Sequence, residues 1–161
     1  FVQSKTKAPD VLFKLAQVAE ERGEPVQQKK WANEFVAIVT APAYGNMYNK
    51  YLLELYTGIL NEPAKAEVIA ARELLNRTKP QTYAWYVWAL YSNNKTAEAE
   101  KIYQQHVSGR PLEGLELYWM GKYMQEQNKG FNAQQFFKAA YKNRYDLGPS
   151  IVKNLELLME E

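Results

Sequence analysis

The sequence predicts an all-α protein, an α-solenoid of stacked helix-turn-helix repeats that ends in a C-terminal capping helix. Apolar residues recur at helical spacing, and no stretch alternates β-branched and polar residues over the length of a strand. Two segments also align at an offset of 34 residues. A period of this size is typical of helix pairs that bury their apolar faces only by stacking on neighbouring pairs. The aligned residues are Asn94-Lys95, Ala99 and Tyr103 with Asn128-Lys129, Ala133 and Phe137.

The first predicted helix pair spans about residues 9–40. Its first helix begins near Pro9 and carries Val11, Leu12, Leu15 and Val18 at spacings of three and four. Gly23-Glu24-Pro25 predicts the turn, because glycine and proline interrupt helices. Its second helix carries the stripe Trp31, Phe35 and Ile38.

Three further pairs and a final helix follow. We expect pairs at about 43–76, 80–107 and 112–143, and a capping helix at 149–160 whose polar outer face is Lys153, Asn154, Glu156 and Glu160. The turns are Asn61-Glu62-Pro63, Asn94-Lys95 and Lys129-Gly130. The second pair aligns with the third only if one residue is inserted near Gly58.

Composition fits one domain over residues 1–161. With 47% hydrophobic and 14% aromatic residues, the chain has enough core-forming side chains to fold. Twenty Lys and Arg face 18 Asp and Glu, which leaves a net charge of +2 and no basic stripe. We therefore expect no nucleic acid partner.

Residue types that carry chemistry are scarce. The chain has no cysteine, which excludes disulfides, thiolate metal sites and cysteine nucleophiles. His106 is the only histidine, so a histidine cluster for a metal cannot form within one chain. No nucleophile elbow, phosphate-binding glycine loop or paired acid and base appears. The sequence therefore predicts a protein that is not an enzyme, with no catalytic residue, no metal and no cofactor.

Cellular location stays open. No apolar run reaches the 18 or so residues that a membrane-spanning helix needs. Because the first residue is Phe1 and not methionine, we expect a processed product or an excised piece, so the sequence does not exclude a targeting segment in the parent protein.

The segment from Pro80 to Pro111 resembles a tetratricopeptide repeat (TPR). It has an aromatic residue, a pair before the turn, an alanine, an aromatic four residues later and a closing proline: Tyr83, Tyr86-Val87, Asn94-Lys95, Ala99, Tyr103 and Pro111. The next unit matches with Leu117, Met120-Gly121, Asn128-Lys129, Ala133, Phe137 and Ala140. In this motif a small residue on the first helix lets the second helix approach, and the aromatic fills the remaining space.

The resemblance covers three to four repeats and is strongest from about residue 46 to 145. It departs from the family at His106, where a small residue is usual, and at Gln28, where an alanine is usual. We expect wider local spacing around His106 and a degenerate first pair.

The resemblance implies a right-handed superhelix in which the first helix of each pair lines a concave inner face. Residue by residue, that face would comprise Met47, Lys50 and Glu54 of the second pair, Gln81, Trp88 and Tyr91 of the third, and Tyr118, Lys122 and Gln125 of the fourth. The expected ligand is a protein or peptide, anchored by the rings and aligned by the polar groups.

Alternatives remain at this stage. Trp88 and Tyr91 are equally compatible with packing between neighbouring repeats. We expect Lys50, Glu54, Lys122 and Glu126 to be solvated, and two lysines are too few for the family's carboxylate clamp. In place of peptide binding, the terminal helix or the outer face could form a homodimer. Single-stranded RNA binding by related helical repeats is a third hypothesis.

Overall fold

The computed structural model describes residues 8–160, which form nine α-helices and no strand. The all-α prediction is thereby confirmed for this part of the chain. Phe1, on which the expectation of a processed chain depends, lies outside the described residues. The helices are α1 (Pro9–Glu21), α2 (Pro25–Val39), α3 (Asn49–Thr57), α4 (Pro63–Leu74), α5 (Pro80–Ser92), α6 (Thr96–Ile102), α7 (Gly114–Glu126), α8 (Gly130–Lys142) and α9 (Pro149–Met159).

Three short helical segments complete the described chain. Two are 3-10 turns, Pro42–Tyr44 and Arg144–Asp146. The third, Tyr103–Val107, continues α6 as a π-helix. None of the nine α-helices is long and apolar enough to cross a membrane.

Proline sets many of the helix starts. It occupies the first position of α1, α2, α4, α5 and α9. At that position the missing N–H is not needed and the fixed φ already suits a helix. The starts predicted at Pro9, Pro80 and Pro149 are confirmed. Helix α2 begins at Pro25, the last residue of the predicted turn, and α7 begins two residues after Leu112, at Gly114.

Contacts divide the chain into two compact units, one through Asn61 and the other from Glu62. The boundary falls in the turn of the predicted second pair, 43–76. A single domain over 1–161 stays a prediction.

In the first unit α1 and α2 pack against each other, and an aromatic cluster joins them to α3. The rings of Phe13 and Phe35 have centroids 5.5 Å apart, and Tyr51 of α3 meets Phe13 edge-on at 4.6 Å. Leu52, Leu53 and their neighbours on α3 are buried beside this cluster. The helix ends at Thr57, and Gly58 follows in a separate turn, where the one-residue insertion was predicted.

In the second unit, helices that are neighbours in the chain pack together. Helix α5 contacts α4, α6, the π segment and α7, while α8 packs on both α7 and α9. Because α5 is surrounded in this way, it buries residues on most of its circumference, from Thr82 to Leu90. A buried polar contact also joins α5 to α7: the indole N–H of Trp85 donates to Glu116 Oε1 at 2.7 Å.

The closest approach predicted from the repeat motif is confirmed between α7 and α8. Gly121 lies against the ring of Phe137, which is fully buried, and Ala133 and Ala140 are buried on either side of that ring along α8. The small residue on one helix thus leaves the space that the aromatic of the next helix fills.

The turns within the helix pairs share one backbone geometry. Gly23, Asn61, Asn94 and Asn128 all have positive φ, between +48° and +68°. The residue after each of them has φ between −96° and −123° and ψ between 55° and 74°. In three of these turns that following residue donates its N–H five residues back, as Lys95 does to Leu90 at 2.9 Å. This is the Schellman arrangement, which satisfies the last carbonyls of a helix.

The positive φ at Asn94 predicts an unusual order of stability among substitutions. Asn94→Ala is expected to be about 1 kcal/mol less stable than Asn94→Gly, because a Cβ disfavours this backbone region. Urea unfolding of both variants measures the difference. Asn76, which is exposed at the end of α4 and does not have positive φ, serves as the matched control. At Asn76 the glycine variant should not be more stable than the alanine variant. The same order of stability at both positions would contradict the prediction.

A polar contact recurs between successive helix pairs. Glu67 of α4 accepts hydrogen bonds from Asn93 at 2.7 Å and from Lys95 at 2.6 Å, in the turn between α5 and α6. Burial alone would raise the pKa of Glu67, but these two hydrogen bonds and the charge of Lys95 together outweigh it and hold that pKa below its usual value.

The equivalent residue one unit later, Glu100 of α6, makes the same kind of contact. It faces Lys129 at 3.6 Å, accepts a hydrogen bond from Tyr123 at 2.6 Å and accepts another from Gln104 at 2.8 Å. The bond from Tyr123 contributes most to holding the pKa of Glu100 below its usual value. One unit further, Gln134 of α8 donates to the carbonyl of Leu158 in α9 at 2.7 Å. The same helix position therefore contacts the next repeat three times. Glu67 and Glu100 are 33 residues apart in the sequence, and Glu100 and Gln134 are 34 apart.

Candidate functional site

In the compact unit that begins at Glu62, the candidate inner-face residues lie on α5 and α7. These are the first helices of the third and fourth predicted pairs. Within this set Tyr91 and Lys122 share a partner, Glu126, which joins the two helices. Lys122 Nζ is 3.9 Å from Glu126 Oε1. Burial, and after it a hydrogen bond to Glu126, raises the pKa of Tyr91. Tyr91 and Lys122, which were predicted on neighbouring repeats, therefore interact with the same carboxylate.

Trp88 is more buried than a ligand-binding residue usually is. It is 9% exposed, and its indole stacks on Trp119 of α7 with centroids 6.4 Å apart and an angle of 11°. Its ring is also 6.1 Å from that of Tyr91. These contacts favour the alternative in which Trp88 packs between repeats, and its role in binding stays a prediction.

Tyr91 combines ring packing with a polar interaction. Its ring meets Tyr123 edge-on at 5.2 Å, while the side chain as a whole is half-buried. Half-buried tyrosines of this kind are common at interfaces, because the ring packs and the hydroxyl remains available for a hydrogen bond.

Tyr118 is engaged by the last helix. Asn154 of α9 donates to the Tyr118 hydroxyl at 2.6 Å. The expectation that Asn154 belongs to a solvated outer face is therefore wrong, since it lies half-buried against α7. Lys153, Glu156 and Glu160 are exposed, as expected for a capping helix, and Leu155 is its fully buried residue.

The other predicted members of this face in the second unit are polar and half-buried. Gln81 lies in the first turn of α5, Gln125 near the end of α7, and Lys122 has 29% of its side chain exposed. Lys122 is thus only partly solvated, whereas Glu126 is exposed as expected. Because these residues are only partly buried, they can form hydrogen bonds to a ligand lying across α5 and α7.

The remaining candidates belong to the first unit. Met47 is 71% exposed before α3 begins, and Lys50 is half-buried in its first turn. Glu54 lies further along α3 and lines a cavity of about 50 Å³ between α1, the start of α2 and α3. Gln17, Glu20 and Gln28 contribute the other polar groups of this cavity, and Phe13 and Leu55 contribute apolar ones.

Glu54 does not behave as a solvated carboxylate, so that expectation is wrong. Burial, and after it the nearby Glu20, raises the pKa of Glu54 to about 7, although Lys50 lowers it. No sequence pattern indicates that these two carboxyls are close, because Glu20 and Glu54 lie on different helices 34 residues apart.

His106 departs from the repeat motif and occupies a distinctive place. Its ring stacks on Tyr83 of α5 with centroids 3.9 Å apart and an angle of 5°. It also lies within the π-helical segment that follows α6. Tyr83 therefore supplies the packing surface that a larger side chain needs at a position usually occupied by a small one.

Within residues 8–160, no group of three or more His, Asp or Glu side chains is arranged to hold a metal ion. Comparison with family models, with curated proteins and with solved structures gives no match for this chain.

Proposed function

We propose that this protein is a TPR-like scaffold that binds a protein or peptide segment across the first helices of its repeats. In residues 62–160 the proposed surface comprises Gln81, Tyr91, Tyr118, Lys122 and Gln125, with Trp88 beneath it. The observation that carries the proposal is the edge-on contact of Tyr91 from α5 with Tyr123 from α7, whose centroids lie 5.2 Å apart, beside the pair of Lys122 and Glu126 on α7. Side chains from successive repeats thereby come together on these two helices.

The repeated contacts support a stacked arrangement for this part of the chain. Glu67, Glu100 and Gln134 occupy equivalent positions and each reaches the following unit. The turns after α5 and α7 share their backbone geometry. Repeats stacked in register present equivalent residues side by side, which suits an extended peptide or a helix with side chains at regular spacing.

The surface chemistry favours recognition over catalysis. Tyrosines provide rigid apolar area at low entropic cost, and the lysine and glutamines provide hydrogen bonds that fix the register of a ligand. Because one lysine and one glutamate lie side by side there, the surface selects for hydrogen bonding and shape more than for net charge.

A selection of peptides on the immobilised chain, followed by affinity measurements, tests the proposal. Selected peptides are expected to bind the wild-type chain and to bind Lys122→Glu at least about tenfold more weakly, a loss of about 1.4 kcal/mol. Lys122 pairs with Glu126 at 3.9 Å within one helix, so its replacement should cost little stability. Fluorescence anisotropy measures the affinities.

Lys138→Glu is the matched control, because Lys138 is exposed on α8, away from the proposed surface. Affinities that fall equally in Lys122→Glu and Lys138→Glu would reveal a general charge effect. Affinities unchanged in both would remove the inner face from the proposal. Thermal unfolding of each variant shows that a loss of binding is not a loss of folding.

Self-assembly and RNA binding are the competing hypotheses. On α9, Leu157 is 58% exposed, which leaves one large apolar side chain for a second copy. The net charge of +2 gives RNA little attraction. The packing of Tyr91 on α7 beside Lys122 and Glu126 plays no part in either hypothesis, and peptide binding is therefore the function that the geometry supports best.

A further inference from the structure

A second cavity lies in the compact unit that begins at Glu62. None of the proposed inner-face residues lines it. It has a volume of about 400 Å³ and opens between the π-helical segment, the turn that follows it, and α8. Leu117 of α7 also lines it. Ligand sites usually have volumes of about 300 to 1,000 Å³. The outer pocket, as we call this cavity, is therefore large enough for a bulky side chain and its neighbours.

The π-helical segment forms one wall of the outer pocket. Its widened turn is closed by the N–H of Ser108, which donates to the carbonyl of Tyr103 at 2.9 Å. Gly109 then adopts a φ of +71°, a conformation that glycine tolerates, and turns the chain back. The corresponding stretch of α8 stays α-helical through Lys142. Single π turns are often found at functional sites.

The chemistry of the outer pocket is divided between base and rim. Tyr103, Val107 and Leu117 are buried and form an apolar base. Arg110, Asn132 and Gln135 are exposed at the rim and supply hydrogen-bonding groups.

Arg110 is the charged residue of the pocket lining. Among residues 8–160 its guanidinium has neither an ion pair nor a hydrogen bond. A guanidinium forms two parallel hydrogen bonds with a carboxylate, and this geometry gives specificity as well as energy. The complementary ligand therefore carries an apolar group for the base and a carboxylate beside it.

We propose that the outer pocket binds an acidic peptide segment, in which a large apolar side chain enters the cavity and an adjacent aspartate or glutamate pairs with Arg110. The amides of Asn132 and Gln135 lie where they can bond the backbone of such a segment. This binding site is separate from the proposed inner face, so one chain would hold two different segments.

Titration with a short peptide, blocked at both ends and carrying one phenylalanine between two aspartates, tests the proposal. The wild-type chain is expected to bind it with a Kd of about 100 µM or tighter. Arg110→Gln should weaken binding about tenfold, and Arg110→Glu should abolish it. Arg110→Glu should also bind the matching peptide with lysines in place of the aspartates. Amide NMR shifts on binding should concentrate at Ser108, Gly109 and Asn132.

Controls separate this site from its alternatives. Lys101→Glu changes an exposed cation of α6 that does not line the pocket, and it should leave the affinity unchanged. Lys122→Glu should also leave the affinity for this peptide unchanged. A failure of the outer-pocket proposal can therefore be told apart from a failure of the inner-face proposal. Peptide affinity that survives Arg110→Glu would overturn the proposal. N-acetylphenylalanine binding as tightly as the peptide would overturn the assignment to a peptide ligand.

Discussion

Replacing Gly121 by alanine is expected to lower the free energy of unfolding by about 2 kcal/mol. A Cβ at this position would lie 2.5 Å and 2.6 Å from two ring atoms of Phe137, and 3.2 Å from Cβ of Phe136. The Phe137 ring is fully buried, so it cannot turn away into solvent. Helices α7 and α8 must therefore separate, and this cost exceeds the gain of up to about 1 kcal/mol that alanine brings to a helix.

Gly130→Ala is the matched control for this substitution. Gly130 begins α8, and no atom lies within 4 Å of a Cβ built there. Alanine should leave stability unchanged or raise it slightly, because it restricts the unfolded chain. Chemical unfolding of both variants gives the comparison, and equal stabilities would refute the close contact. In a double-mutant cycle, Phe137→Leu should recover part of the loss caused by Gly121→Ala.

The second large effect concerns Glu54 and appears as a dependence on pH. The pKa of this carboxyl is raised from 4.5 to about 7 in the folded chain. Between these values the folded state keeps a proton that the unfolded state has released, so stability falls as pH rises. Below about pH 4.5 both states are protonated, and above about pH 7 the loss is complete. Because Glu54 is partly exposed, we expect this loss to be on the order of 2 kcal/mol.

Glu54→Gln isolates this contribution from those of the other carboxyls. The variant should match the wild-type chain near pH 4.5 and exceed its free energy of unfolding by about 2 kcal/mol near pH 8. Glu20→Gln keeps Glu54 but removes its neighbouring charge, so its pH dependence should be smaller than that of the wild-type chain. A difference between Glu54→Gln and wild type that stays constant with pH would contradict the assignment. Carboxyl carbon NMR would locate the titration directly.

Local patterns predicted the helices well because their causes are local. Proline at a first position, an asparagine or glycine after a last turn, and apolar residues at spacings of three and four each act within a few residues. Even the tight contact at Gly121 followed from the motif, because a small residue and an aromatic recur at fixed offsets. The insertion near Gly58 stays a prediction, although Gly58 does lie directly after the end of α3.

Features that depend on several elements escaped prediction. The π turn at Tyr103–Val107 has no distinctive composition, and Arg110 appears in the sequence only as part of a Gly-Arg-Pro break. The raised pKa of Glu54 needs the approach of Glu20 from another helix. The polar side chain of Asn154 suggests a surface position, but in the structure it contacts Tyr118 of α7. Each depends on distances between helices, which periodicity does not specify.

The contact pattern of residues 62–160 also has a consequence for how this part of the chain folds. Its main packing and its polar contacts join helices one or two apart in sequence. Little loop-closure entropy must be spent before such contacts form. Low contact order of this kind favours rapid folding, and growth of the structure from any adjacent pair of helices.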